Sequence, residues 1–130
     1  MPRRQRLKGV TGMSGNNEEK KTYYRLAPCP SYDVEGMESS NHLYPIRVPG
    51  IGEEQRNQII AKMSEYGVAT NVHYKPLPMM TAYGKDCSAY PNAYDYYRNL
   101  ITLPLHTLLT DEDVAYVCET LKTVMKETRG

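Results

Sequence analysis

Two stretches of the chain repeat apolar residues every three or four positions, the spacing of one face of an α-helix. In residues 53–66 the repeating positions run from Arg56 to Met63. The second stretch begins at Thr110 with Asp113 three residues later, a capping-box pattern with Asp in place of Glu. We therefore predict one helix over residues 53–66 and another from Thr110 to about residue 127.

Three other stretches alternate apolar and polar residues, the pattern of a strand with one buried face: residues 42–48, 68–74 and 100–106. The first and third each contain a proline, which predicts an edge strand or an irregularity because proline cannot donate to a ladder. A single helical turn is predicted at residues 79–84, and a short Tyr-rich helix at residues 91–100. The fold class is α/β of the α+β type, with a small, mainly antiparallel three-stranded sheet and helices on one face.

The first part of the chain lacks this periodicity. Residues 1–38 combine a basic start with Gly, Asn, Ser and Pro, and such a composition buries too little surface to offset its ordering entropy. We predict a flexible or irregular head over residues 1–38, with at most one short extended piece. Residues 39–130 then form one domain, consistent with a length of 130 residues.

Composition excludes several classes of partner. The formal charge is +1, so no global field attracts the chain to nucleic acid or to a membrane. No apolar run approaches the ~20 residues that span a bilayer, and no apolar segment follows the basic start as in a secretory signal. The three cysteines are far apart and form no Cys-x-x-Cys pair. We expect a cytoplasmic protein with reduced thiols and with neither nucleic acid nor membrane as a partner.

Metal and nucleophile sites are not indicated. His42, His73 and His106 each fall at the end of a predicted strand, but their spacing has no metal signature, and a hydrogen-bonded structural role is usual for histidine. Nothing near Cys87 identifies a partner base, and no glycine-rich phosphate loop is present. We predict no metal ligand, no catalytic residue and no cofactor-binding residue in this chain.

The most functional-looking stretch is Asn71–Pro78, where an alternating run ends in His73, Tyr74 and Lys75 before a Pro-x-Pro segment. Loops at the end of a rigid strand commonly carry binding groups. A lysine beside an imidazole and a phenol can hold a phosphate or a carboxylate. The alternative, an exposed strand end followed by a proline turn, is about as well supported by these residues alone.

Five segments of the chain stand out as a set: SSNHLYPIRV at 39–48, MSEYGV at 63–68, NVHYKPL at 71–77, LPLH at 103–106 and LTDEDV at 109–114. In that order they resemble the C-terminal domain of the DegT/DnrJ/StrS family of pyridoxal-phosphate-dependent nucleotide-sugar aminotransferases. The likeness extends over about residues 39–126.

The resemblance implies a small domain that packs against a larger cofactor domain and helps to wall the active site of a dimer. In the complete enzyme the chemistry is amino transfer, from an amino acid such as glutamate to a nucleotide-linked keto-sugar, as in polysaccharide biosynthesis. By the same resemblance His73, Tyr74 and Lys75 border the substrate, whereas His42 and Arg47 give structural support.

A complete family member also has a large upstream domain with the Schiff-base lysine, and none of Lys62, Lys75 or Lys85 has that context. We therefore expect a truncated or separated C-terminal domain that binds no pyridoxal phosphate alone and does not transaminate alone. Its partner is then a chain with the large pyridoxal-phosphate domain, or a second copy of itself. The alternative is a stand-alone, non-catalytic binding or protein-interaction module that kept this fold. A large exposed apolar face favours the first hypothesis, and a polar surface the second.

Overall fold

The computed structural model describes residues 27–28, 36, 40–84 and 86–128. Within these residues the elements are β1 (Ala27–Pro28), β2 (Tyr44–Arg47), α1 (Glu53–Glu65), α2 (Pro91–Arg98), β3 (Leu100–Leu103) and α3 (Asp111–Glu127). Short 3-10 turns also form at Leu77–Met79 and Cys87–Ala89. Nearly all of the predicted head lies outside the described residues, so the flexible-head prediction stays a prediction.

The body of the sheet is the antiparallel pair of four-residue strands β2 and β3. Ile46 lies opposite Ile101, and Arg47 lies opposite Leu100. The two-residue strand β1 pairs with the other edge of β2. The predicted strands at 42–48 and 100–106 therefore form, with shorter bounds.

The prediction of a strand at residues 68–74 is wrong. Only Asn71 pairs with β3: its N–H donates to the Thr102 carbonyl at 3.1 Å, and its carbonyl accepts from the Thr102 N–H at 2.7 Å. The N–H of Val72 instead donates to the Asn71 side-chain Oδ1 at 2.7 Å. Such a local side-chain bond competes with a ladder, and the Pro-x-Pro segment that follows removes two more backbone donors. In place of the expected three full strands, the sheet consists of the β2–β3 pair, the two-residue strand β1 and the single Asn71–Thr102 pair.

Both long helices begin and end close to their predicted bounds. At the start of α3 the Thr110 Oγ1 accepts from the Asp113 N–H at 3.1 Å, and the Asp113 Oδ2 accepts from the Thr110 N–H at 2.8 Å. The predicted capping box is thereby confirmed, and these hydrogen bonds hold the pKa of Asp113 below its ordinary value. α1 is followed by Gly67 at φ +74°, the left-handed conformation that glycine adopts without a steric penalty.

One apolar core lies between the β2–β3 pair and two helices. Because residues directly opposite in an antiparallel pair share a face, Ile46 and Ile101 point the same way. α1 and α3 pack on that face. The buried cluster is Ile46, Val48, Ile51, Ile59, Met63, Val68, Ile101, Leu103, Val117, Cys118, Leu121, Val124 and Met125. In the described part of the chain, no helix is both long and apolar enough to cross a membrane.

Candidate functional site

His73, Tyr74 and Lys75 follow the Asn71–Thr102 pair directly and stand at one side of the sheet. Tyr74 is 69% exposed, Lys75 is exposed, and His73 is half-buried. The imidazole and phenol rings meet edge to face with centroids 4.8 Å apart. The peptide bond between them is cis. The three side chains thus lie together at an accessible surface, as a binding role requires.

The polar atoms beside this surface include three that are buried and unpartnered. They are Thr70 Oγ1, His73 Nδ1 and Thr102 Oγ1, and in the described residues no hydrogen bond satisfies them. A buried polar atom without a partner costs free energy unless water or a ligand reaches it. The imidazole of His73 therefore has unused hydrogen-bonding capacity on its inner side.

Beyond Lys75 the chain turns twice and displays large apolar side chains. Met80 N–H donates to the Leu77 carbonyl at 3.0 Å, and Tyr83 N–H donates to the Met80 carbonyl at 2.9 Å. Leu77 is 58% exposed, Met80 39% and Tyr83 56%. With Tyr74 they form what we call the apolar stripe, defined as Tyr74, Leu77, Met80 and Tyr83.

Arg47 contacts α2 and not the His73–Lys75 segment. Its Nε donates to the Asn99 Oδ1 at 2.8 Å, and its Nη2 donates to Asp95 at both the carbonyl, 3.0 Å, and the carboxylate, 2.9 Å. The guanidinium also lies over the Tyr96 ring, 4.6 Å from its centroid. Hydrogen bonds from Arg47 and then from Arg98 hold the pKa of Asp95 below its ordinary value.

His42 is exposed and lies two residues before β2. Among the described residues, no hydrogen bond, ion pair or ring contact links it to His73, Tyr74 or Lys75. The structure therefore brings the three proposed substrate-side residues together, and places the two proposed supporting residues apart from them.

A buried arginine network escaped prediction. Arg56 is only 1% exposed; its Nη1 donates to the carbonyls of Tyr97 at 2.9 Å and Leu100 at 3.3 Å. Its guanidinium lies 4.7 Å from the centre of the Tyr97 ring, and the Tyr97 hydroxyl donates to Glu53 Oε1 at 2.7 Å. Burial, followed by this bond to Glu53, raises the pKa of Tyr97. In the sequence, this network is indicated by the position of Arg56 within an otherwise apolar helical stripe.

The lysines of the described residues do not fit the cofactor that the resemblance implies. Lys62 pairs with Glu127 at 3.6 Å, Lys122 pairs with Glu119 at 2.7 Å, and Lys75 and Lys126 are exposed. A lysine that reacts with a carbonyl needs an enclosed site that lowers its pKa. None of these four has such surroundings.

Metal chemistry has no support in the same part of the chain. No group of three or more His, Cys, Asp or Glu side chains there is arranged to hold a metal ion. Cys118 is a member of the core, and its burial raises the pKa of the thiol. A raised pKa favours the unreactive protonated form of a cysteine.

Comparison with known proteins places these features in a family. The sequence model of the DegT/DnrJ/EryC1/StrS aminotransferase family matches residues 4–122. The match begins upstream of residue 39 and therefore includes most of the predicted head.

Two curated relatives are enzymes or proteins of sugar biosynthesis. The chain is 32% identical over 91 residues to the spore coat polysaccharide biosynthesis protein SpsC of Bacillus subtilis, covering 65% of this chain and 23% of SpsC. It is 34% identical over 116 residues to the UDP-4-amino-4,6-dideoxy-N-acetyl-beta-L-altrosamine transaminase of Helicobacter pylori, covering 84% and 31%. The chain thus spans between about a quarter and a third of these relatives.

A solved structure agrees with the sequence matches. The chain superposes on Spr1654 of Streptococcus pneumoniae, a proposed sugar aminotransferase in its PMP form, with a TM-score of 0.80 and 44% identity. The superposition covers 95% of this chain and 29% of that one. The PLP form of Spr1654 matches with a TM-score of 0.74 and 50% identity, over 80% of this chain and 27% of the other. The chain belongs to the DegT/DnrJ/EryC1/StrS aminotransferase family.

Proposed function

We propose that these residues form the small C-terminal domain of a pyridoxal-phosphate-dependent nucleotide-sugar aminotransferase. The cofactor supplies the amino-transfer chemistry when it is bound by the large domain of such an enzyme. The small domain contributes His73, Tyr74 and Lys75 to the substrate side of the cleft, with Lys75 suited to a phosphate or carboxylate. Without a large domain the chain is catalytically inactive.

The observation that carries this proposal is the apolar stripe directly beside His73–Lys75. Four large side chains within ten residues are 39–69% exposed. Several large apolar side chains exposed within so short a segment are typical of an interaction site rather than of a monomer's outer face. Family membership makes a large cofactor domain the natural partner, and the stripe then closes onto it next to the polar triad.

The alternative function is a stand-alone module that binds a protein and performs no chemistry. The apolar stripe fits this alternative only where a partner unrelated to the family covers it, because a stand-alone monomer is expected to have a polar surface. The two functions differ in what the His73–Lys75 residues do. The aminotransferase function requires them for turnover of a nucleotide sugar, whereas the interaction module does not.

The first test is a spectral titration of the purified chain with pyridoxal phosphate. We expect no saturable shift in absorbance and no borohydride-stable adduct at a single lysine, because the described lysines are exposed or ion-paired. A stoichiometric adduct that is lost in one Lys→Ala variant would contradict catalytic incompleteness.

The second test is a chimera. The matched third of the Helicobacter pylori transaminase is replaced with this chain, and amino transfer to that enzyme's own substrate is measured. We expect activity in the chimera and a loss of about tenfold or more in Tyr74→Ala or Lys75→Ala, because a charged hydrogen bond contributes about 1.5–3 kcal/mol. The matched control is Lys126→Ala, an exposed lysine on α3. An active chimera that is indifferent to both site substitutions would overturn the substrate-side role of these residues. A folded but inactive chimera would favour the interaction module.

A further inference from the structure

The residues that carry the candidate site are attached to the domain in an unusual way. The core cluster includes Val68 and resumes at Ile101, and none of the described residues between them belongs to it. We call the described residues of this segment, 72–84 and 86–98, the lobe. Among its described residues Tyr97 is the one buried apolar side chain, at 8% exposure. The lobe is therefore not held by the main apolar core.

Polar contacts attach the C-terminal end of the lobe at two places. Arg47, on β2, reaches Asp95 with two hydrogen bonds and Asn99 with one, all between 2.8 and 3.0 Å. Arg56, on α1, reaches the carbonyls of Tyr97 and Leu100 from a fully buried position. Each arginine also stacks on a tyrosine of α2. At the N-terminal end the Asn71–Thr102 pair supplies two backbone bonds.

We propose that the lobe is a separate opening unit, latched to the core by Arg47 and Arg56. Segments with few buried apolar contacts open at a lower free energy than the core, and they open as contiguous units. When α2 moves away from β2 and α1, the bonds of Arg47 to Asp95 and of Arg56 to the Tyr97 carbonyl break together. The bond of Arg56 to the Leu100 carbonyl on β3 stays within the core. The core formed by β2, β3, α1 and α3 keeps its own packing during this motion.

Latching by arginine suits a unit that must move and return to one position. The planar guanidinium of Arg47 meets a carboxylate, a carbonyl and an amide oxygen in fixed directions, which gives geometric specificity as well as affinity. Since the lobe carries His73, Tyr74 and Lys75, its opening displaces the candidate substrate surface. This last consequence rests on the proposed function, whereas the opening itself does not.

The experiment is hydrogen–deuterium exchange of the full 130-residue chain, followed by mass spectrometry of peptides from α1, α2 and α3. In the unsubstituted protein we expect faster exchange in α2 than in α3. In Arg47→Gln we expect exchange in α2 to increase by about tenfold or more, because hydrogen bonds to a charged group are lost. Exchange in α1 and α3 remains unchanged.

Arg98→Gln is the matched control. Arg98 also binds the Asp95 carboxylate, through Nε at 2.9 Å and Nη2 at 2.7 Å, but both residues lie on α2. Like Arg47→Gln, the substitution removes a guanidinium that binds the Asp95 carboxylate. It leaves the contacts between Arg47 on β2 and α2 in place. We expect α2 exchange to change by less than about threefold, the size of a half-exposed ion pair.

A second pair of variants keeps the inference testable if Arg47→Gln folds poorly. Asp95→Asn removes the latch charge from a half-exposed position, and Tyr97→Phe removes the hydroxyl bond to Glu53 while keeping the ring. Both should accelerate exchange in α2 and spare α3. Equal acceleration in α2 and α3 would overturn the inference, because the domain would then open only as a whole. Unchanged α2 exchange in both variants would overturn it too. No cofactor or sugar is needed, so this outcome is independent of the proposed function.

Discussion

The core and the lobe of this domain are stabilised by different physics. In the core, Ile59, Met63, Ile101 and Val124 are fully buried and pack without polar side-chain bonds among themselves. In the lobe, large apolar side chains face solvent and two arginines supply the attachment. Apolar packing depends on area, whereas hydrogen bonds depend on direction. Core packing therefore tolerates small displacements of its side chains, whereas the arginine contacts of the lobe form in one orientation.

This difference separates folding from function within one small domain. The lobe bears His73, Tyr74 and Lys75 together with the apolar stripe, and functional segments are commonly drawn from the less stable part of a protein. The four predictions below test the comparison, from the largest expected effect to the smallest.

Truncating a core side chain should produce the largest effect. Leu121→Ala removes a side chain that is 1% exposed, and we expect a loss of about 2–5 kcal/mol in the free energy of unfolding because a cavity remains. Urea denaturation measures it. Leu108→Ala, at 83% exposure, is the control and should change stability by less than about 0.5 kcal/mol. Comparable losses in the two variants would contradict the assignment of the core.

Removing the buried arginine should have the next largest effect. Arg56→Met keeps an unbranched apolar stem but removes the guanidinium that donates to the carbonyls of Tyr97 and Leu100. We expect a loss of about 2–3 kcal/mol, because a buried polar group left unpaired costs 1–3 kcal/mol. Arg98→Met, from a side chain 45% exposed, is the control. A more stable Arg56→Met variant would show that the arginine costs more to bury than its contacts return.

The cap of α3 should contribute less. Thr110→Ala removes the side-chain acceptor of the Asp113 N–H, and loss of such a cap costs about 1 kcal/mol. Thermal unfolding followed by circular dichroism measures the change. Thr123→Ala, an exposed position within α3, controls for the loss of a hydroxyl and should not destabilise. If both variants unfold at the same temperature, the capping box contributes nothing.

Protonation of Asp95 in acid should weaken its contact with Arg47, and this effect should be the smallest of the four. The pKa of Asp95 is held below its ordinary value, first by Arg47 and then by Arg98. A lowered folded-state pKa gives stability that is present above the unfolded value of about 3.9 and is lost as pH falls through the folded value. We expect the unfolding temperature to drop below about pH 4 more steeply in the unsubstituted chain than in Asp95→Asn. Parallel pH profiles would contradict this linkage, and Glu112→Gln serves as an exposed control.

The sequence predicted well wherever the determining interactions are local. The α3 start was read from Thr110 and Asp113 because both partners of the capping box lie within four residues. The prediction of a strand at 68–74 is wrong because alternation of apolar and polar residues does not show whether a neighbouring strand is available for pairing. Only Asn71 meets β3, and the chain then turns through its own side-chain bond. Ladder pairing is a nonlocal property, so periodicity alone does not decide it.

The candidate site divides in the same manner. Sequence motifs brought His73, Tyr74 and Lys75 to attention because they are consecutive, and the structure places them at an exposed surface. The contacts of Arg47 with Asp95 and Asn99, 48 and 52 residues away, have no local signature. The same holds for Arg56, whose position in the helical stripe was visible but whose partners were not.

The sequence by itself determined the family, the two long helices and the core strands, and it made His73, Tyr74 and Lys75 the candidate site, because each depends on residues close together in the chain. Only the tertiary structure decided that the 68–74 segment makes a single pair with β3 and that the lobe lies outside the apolar core cluster. It also showed that arginines from two other elements hold the lobe. The physical reason is that these features depend on which polar groups find partners across the fold, and that choice is made when the chain packs.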